Sequence, residues 1–115
     1  MSQIQILHNP RCSKSRQTLA LLEEQGIQPE VIQYLKTPLD QQQLINLQQK
    51  LGFDSVRQMM RVKESLYKSL NLAEATEQQL IEAMAENPVL LERPVVINAN
   101  KARIGRPPEQ VLEIL

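Results

Sequence analysis

The sequence predicts an α/β fold in which one mixed sheet is built from the two ends of the chain and a block of helices is inserted between them. Three observations carry that prediction. Strand, helix and strand follow one another within roughly the first thirty residues, which is the length of a βαβ unit. Two capping-box signatures, Asp40 with Gln43 and Thr76 with Gln79, open helices in the middle of the chain. The β-branched run Val95-Val96-Ile97 then precedes a turn and a second short run, the pattern of a hairpin. The order is βαβ, a helical insertion at about 38–90, then ββα, in a single domain spanning residues 1–115.

Each element has its own signal. Ile4, Ile6 and Leu7 give an apolar strand over residues 3–8. Thr18, Leu19 and Leu22 share a helical face, and that helix runs to about Gln25, with Gly26 suited to its C′ position. Val31-Ile32-Gln33-Tyr34 reads as the second strand, parallel to the first, with a right-handed crossover. In the insertion, Leu44, Leu47 and Leu51 mark one face of a helix that Gly52 stops. Asp54 is placed to cap a further helix with Val56, Met59 and Met60 as its apolar side and with Arg57 and Arg61 at i, i+4. The methionines read as core filler and the two arginines, by spacing alone, as surface charge. Leu80, Ile81 and Met84 face the core from a helix that ends at Asn87-Pro88. Asn98 to Lys101 is a turn, and Ala102-Arg103-Ile104 the returning strand. Gly105-Arg106-Pro107-Pro108 breaks it, and the last helix carries Val111, Leu112 and Leu115.

Composition narrows the function. The 115 residues carry equal numbers of basic and acidic side chains and a formal charge of zero, so nothing points to general nucleic-acid affinity. No apolar run is long enough to span a membrane. Met1-Ser2-Gln3 lacks the regions of a signal peptide. The chain has one cysteine and one histidine, which excludes an intramolecular disulfide and any multi-cysteine metal site. The expected compartment is the reducing cytoplasm.

That cysteine and that histidine lie in one stretch, His8-Asn9-Pro10-Arg11-Cys12-Ser13-Lys14-Ser15-Arg16. A free cysteine is commonly a small buried hydrophobe. Here its neighbours are polar and basic, and it stands where a strand gives way to a helix. Helix N-termini present unpaired N–H groups and the positive end of the dipole, which favour thiolate, the nucleophilic form. Arg11, Lys14 and Arg16 add positive charge, and Ser13 and Ser15 are hydroxyl donors for a sulfur anion. His8 either ends the strand or serves as an imidazolium partner for Cys12.

The element order is the plan of the thioredoxin-like fold, whose active thiol lies at the first strand-to-helix junction. The residues themselves resemble the ArsC family of glutaredoxin-linked arsenate reductases. His8-Asn9-Pro10, Cys12 and Ser15-Arg16 look like its active-site start. The likeness continues through Tyr34-Leu35, Pro38, Val56-Arg57 and Arg61, and returns at Glu92-Arg93-Pro94-Val95-Val96 and Gly105-Arg106-Pro107. It covers essentially the whole chain in order.

The resemblance implies that Cys12 is the nucleophile and that His8 and Ser15 help hold its thiolate. It implies that Arg61, Arg93 and Arg106 surround an oxyanion and that Pro94 is held cis beside the thiol. Arginine suits that task, because a guanidinium stays protonated and offers paired donors to anionic oxygens. Arg57 and Arg103 match no family role and are left as surface charges. The implied reaction is reduction of arsenate to arsenite through a covalent Cys12–arsenic adduct, with glutathione as co-substrate and glutaredoxin as partner. No bound cofactor, metal, nucleic acid or membrane is implied. Ser13-Lys14 stand where the best-known members carry Gly-Thr. Two other readings are a Spx-type redox regulator that binds RNA polymerase and a glutathione-dependent thiol reductase acting on another substrate. Such regulators commonly use a Cys-x-x-Cys switch, and Ser15 stands here in place of the second cysteine.

Overall fold

In the computed structural model, which describes residues 3–115, the sheet has the strand order β2-β1-β3-β4. Met1 and Ser2, part of the start read as leaderless, lie outside the described residues. β1 (Gln5–Leu7) pairs parallel with β2 (Glu30–Ile32) and antiparallel with β3 (Val95–Asn98), which pairs antiparallel with β4 (Lys101–Ile104). This is the thioredoxin-like mixed sheet that the sequence predicts. β3 and β4 meet in a two-residue turn in which Ala99 takes a left-handed φ of 57°.

The chain divides into two compact units, the first made of Met1–Thr37 with Arg93–Leu115 and the second of Pro38–Glu92. In the first, Ile6 and Val96 are paired across the sheet and meet Leu22 from α1 (Ser13–Glu24) in a buried cluster with Val111 and Ile114. Period-two alternation turns the equally buried Leu7 and Val95 to the opposite face. α1 ends at Glu24 with Gln25 as its C-cap, and Gly26 follows at φ 76°, the left-handed conformation that glycine adopts without penalty.

Two strand and helix expectations need correction here. β2 starts at Glu30 and stops at Ile32, so Gln33 and Tyr34 are not in the sheet. Its pairing with the three-residue β1 ends at Leu7↔Ile32, and a turn follows in which the Lys36 and Thr37 N–H groups donate to the Gln33 carbonyl. Tyr34 is buried outside the sheet, whereas Val31, on this edge strand, is exposed. At the other end, Pro108–Ile114 forms a 3₁₀ helix. With three residues per turn, residues three apart eclipse one another. The buried stripe is therefore Pro108, Val111 and Ile114, while Leu112 and Leu115 are exposed.

In the second unit, α2 (Gln41–Leu51) begins with the Asp40–Gln43 capping box, buries Leu44, Leu47 and Leu51, and ends at left-handed Gly52. A single 3₁₀ turn, Val56–Met59, replaces the expected helix. Its cap is Ser55 rather than Asp54: the Ser55 hydroxyl accepts from the Arg57 N–H, and the Gln58 side chain accepts from the Ser55 N–H. The Ser55 hydroxyl and the Val56 N–H both donate to the Glu77 carboxylate at the start of α4 (Glu77–Glu86). Arg57 and Arg61 do not share a helix, because the turn ends before Met60, which bridges to Leu91. Met59 and Met60 are buried core residues, as expected. Between these elements lie α3 (Ser65–Ser69) and a 3₁₀ turn at Leu72–Glu74, neither of which periodicity had marked. α4 opens with the Thr76–Gln79 capping box and buries Leu80, Ile81 and Met84. No helix among the described residues is long and apolar enough to cross a membrane.

Candidate active site

The β1–α1 junction is folded by its own short side chains. The His8 N–H makes the last ladder bond, to the Ile32 carbonyl at 2.8 Å. The Asn9 side-chain oxygen accepts from the Arg11 N–H at 3.0 Å, a local turn typical of asparagine. The Asn9 carbonyl accepts from the Cys12 N–H at 3.0 Å, and Arg16 braces the loop by donating to the Pro10 carbonyl at 2.8 Å.

Cys12 then occupies the N-cap of α1 with extended backbone angles, and it is buried. At this position an aspartate or serine oxygen would accept from the N–H groups two and three residues on. Here the residue is a cysteine, and its side chain makes no capping hydrogen bond, although the same N–H groups bear on its charge. Burial pushes the thiol up, but the Ser15 N–H, the Arg93 guanidinium through hydrogen bonding and charge, and the Lys14 N–H outweigh it. The net result is a thiol below its ordinary value. The serine contribution thus comes from backbone, not from the Ser13 and Ser15 hydroxyls expected as donors.

The Ser15 hydroxyl has another task. It is fully buried, accepts from the Asn9 N–H at 3.0 Å and stands 2.6 Å from His8 Nδ1. Burial, reinforced by the charge of Arg16, holds His8 below its ordinary value. A neutral imidazole with Nδ1 as acceptor fits this arrangement, with the serine donating its proton to the ring. The lowered value argues against the imidazolium partner, one of the two readings that the sequence left open for His8. His8 is tied to the helix N-terminus through Ser15, and its cost of burial disfavours the charge that role required.

Arg93 and Arg106 come to this junction from either end of the β3–β4 hairpin. Arg106 Nη2 reaches 3.7 Å from Cys12 Sγ, and Arg106 Nε donates to the Arg93 carbonyl at 2.8 Å. Arg93 Nε is buried with no hydrogen-bond partner among the described residues, an uncommon state for a buried donor. The Arg93–Pro94 peptide bond is cis. Arg61 belongs to the second unit, where it pairs with Glu64 at 2.8 Å. Among the described residues no cluster of three or more His, Cys, Asp or Glu is arranged to hold a metal.

The roles of two residues escaped the sequence reading, Gly105 beside this site and Arg57 within the second unit. Gly105 has no room for a side chain: a Cβ there would lie 2.6 Å from Thr18 Oγ1 and 2.9 Å from Pro94 Cγ. Its N–H donates to the Pro94 carbonyl at 2.9 Å. Gly105 thus lets the chain carrying Arg106 lie directly against α1 and the proline. The glycine itself was legible, but its reason is contact with residues far away in the chain. Arg57 is the second. It is half-buried and donates to the Tyr67 hydroxyl and to the carbonyls of Leu72 and Ala75, which corrects its reading as surface charge. Arg103 stays near that reading, in a partly exposed pair with Glu113.

The chain is similar to known proteins over nearly its whole length. The model of the ArsC family matches residues 7–114. The chain is 59% identical over 115 residues to the uncharacterized protein YfgD of Escherichia coli strain K12, covering 98% of this chain and 97% of that one. It is 56% identical over 112 residues to an arsenate reductase of Haemophilus influenzae, covering 96% and 97%. A solved arsenate reductase from Vibrio cholerae superposes with a TM-score of 0.96 at 57% identity, covering 98% of each chain. With the family model spanning nearly all of it and relatives above half identity over the full length, the chain belongs to the ArsC family.

Proposed function

We propose that this chain is a cytoplasmic arsenate reductase that uses Cys12 as its nucleophile and draws its reducing thiols from glutathione and glutaredoxin. One observation carries the reading: a thiol biased toward thiolate stands beside two guanidinium groups, those of Arg93 and Arg106. A thiolate alone would repel an anionic substrate. Two fixed cations reverse that repulsion and offer donors to its oxygens. An arsenate oxygen would also give Arg93 Nε the acceptor it lacks among the described residues. Arg61 is assigned as the third arginine from its match to the family motif. The relatives named arsenate reductase support the substrate.

Attack of the Cys12 sulfur on arsenic expels one oxygen as water and leaves a Cys12–arsenic adduct. The chain has no second cysteine, so the resolving thiol comes from outside. The glutathione sulfur bonds to arsenic and displaces a second oxygen, which leaves as water. A glutaredoxin thiolate then attacks the glutathione sulfur, and the electron pair of that sulfur–arsenic bond stays on arsenic, which is reduced by two electrons while still bonded to Cys12; water then hydrolyses the Cys12–arsenic bond, releasing arsenite and the free thiol. The glutathione leaves as a mixed disulfide with glutaredoxin, whose low-pKa thiol is suited to such exchange.

Arsenate-dependent oxidation of NADPH, coupled through glutathione reductase, glutathione and glutaredoxin, tests the reading. The full system should turn over and Cys12→Ser should not. Arsenate alone should give neither sustained turnover nor an intramolecular disulfide. No arsenite from the complete system would end the proposal.

A further inference from the structure

A cavity of about 240 Å³ opens beside the loop that delivers Cys12, between Asn9, Pro10 and Arg11 on one side and Gln33, Leu35 and Lys36 on the other. We propose that it seats a carboxylate-bearing arm of the low-molecular-weight thiol that resolves the Cys12 adduct, a ligand of the class of glutathione. The proposal rests on the reading above that this thiol comes from outside the chain.

Three features argue for that occupant. The first is charge: Arg11 and Lys36 both line the cavity, and no carboxylate does. The second is size. At about 30 Å³ per water the volume equals roughly eight waters, room for one arm of a tripeptide rather than the whole of it. Leu35 and Pro10 supply the apolar surface such an arm covers, and the Asn9 and Gln33 amides supply hydrogen-bonding groups. The third is reach. Arg11 is bonded to Cys12, so their Cα atoms are about 3.8 Å apart, while an extended peptide covers about 3.4 Å per residue. The basic rim of the cavity therefore adjoins Cys12 in the chain, and the thiol of such a ligand lies one residue from its terminal carboxylate. The turn that carries Lys36 is itself fixed, its N–H donating to the Gln33 carbonyl at 2.9 Å.

The test needs no arsenate. In exchange with glutathione disulfide, the Cys12 thiolate attacks one sulfur, forms a Cys12–glutathione disulfide and releases glutathione thiolate. Rates are compared with those for the small uncharged bis(2-hydroxyethyl) disulfide on the full chain. Lys36→Glu should lower the ratio of the two rates about fivefold to tenfold, the scale of losing one charge-assisted contact and adding repulsion. Lys36→Arg should keep it. Leu35→Trp, which fills the cavity without changing charge, should lower the ratio while leaving the neutral disulfide unaffected. A ratio that both Lys36→Glu and Leu35→Trp leave unchanged overturns the cavity assignment, even in a chain that reduces arsenate. A ratio that falls as described in a chain inactive on arsenate supports the cavity and removes arsenate as the substrate.

Discussion

Arg106 and Cys12 are ninety-four residues apart in sequence, yet Arg106 Nη2 stands 3.7 Å from the Cys12 sulfur. The same guanidinium donates through Nε to the Arg93 carbonyl. One arginine therefore spans the thiol and the backbone of the other arginine, and the hairpin between them holds both at the start of α1.

Replacing Arg93 or Arg106 by Ala should reduce arsenate turnover about 10- to 100-fold, the equivalent of one lost hydrogen bond to a charged group. Arg93→Ala should also raise the pH midpoint of Cys12 alkylation, because Arg93 supplies both hydrogen bonding and charge to the thiol. Arg57→Ala should leave that midpoint unchanged. It should instead destabilise the chain by about 1–3 kcal/mol, because it removes the Arg57 donor from the Ala75 carbonyl and leaves the Leu72 carbonyl with the Ala75 N–H alone. Arg103→Ala breaks only a partly exposed pair and should cost less than about 1 kcal/mol. Alkylation rates against pH, with urea denaturation of the same variants, separate these outcomes.

The lowered His8 value fixes the sign of an acid effect. The folded chain resists protonating His8 while the unfolded chain protonates it at the ordinary value near 6.5. Below that pH the unfolded state binds more protons, so stability falls as pH falls. Above it both states are neutral and this contribution is flat. His8→Gln cannot charge and should flatten the decline between pH 6.5 and the acid limb of the carboxylates. Urea midpoints measured across that range show it, and a decline of equal slope in the variant would refute the assignment.

Gly105→Ala should destabilise the chain by about 1–3 kcal/mol, the usual cost of forcing an added carbon into a packed site. The collision is with Thr18 and Pro94, both buried. Thr18→Ala in the same chain removes the closer of the two contacts and should recover part of the loss, leaving the contact with Pro94. Thermal denaturation of the single and double variants reads the difference.

The C-terminal stripe makes a contrast within four residues. Ile114→Ala should cost about 2–5 kcal/mol as a core truncation. Leu112→Ala, at an exposed position, should stay within about 0.5 kcal/mol. Urea denaturation decides between them, and a larger loss at Leu112 than at Ile114 would restore the α-helical face of Val111, Leu112 and Leu115 expected there.

The elements of the fold were legible wherever a local rule fixes them. The Asp40–Gln43 and Thr76–Gln79 boxes close within four residues, so sequence alone locates those helix starts. The thiol at the strand-to-helix junction was legible for the same reason: backbone N–H groups two and three residues on act from within its own turn. Local pattern did not settle outcomes that depend on distant atoms. β2 stops at Ile32 because its partner β1 is three residues long, and the last helix is 3₁₀ because Val111 and Ile114 must meet Ile6 and Val96. Ser15 turned its hydroxyl to His8, since a buried ring nitrogen needs a partner. Arg57 and Arg106 are alike by composition and spacing, and in the sequence only the family role implied by the likeness of Gly105-Arg106-Pro107 sets Arg106 apart. Only the tertiary structure decides that one holds loop carbonyls and the other meets the sulfur, because a guanidinium takes its role from the acceptors that packing brings to it.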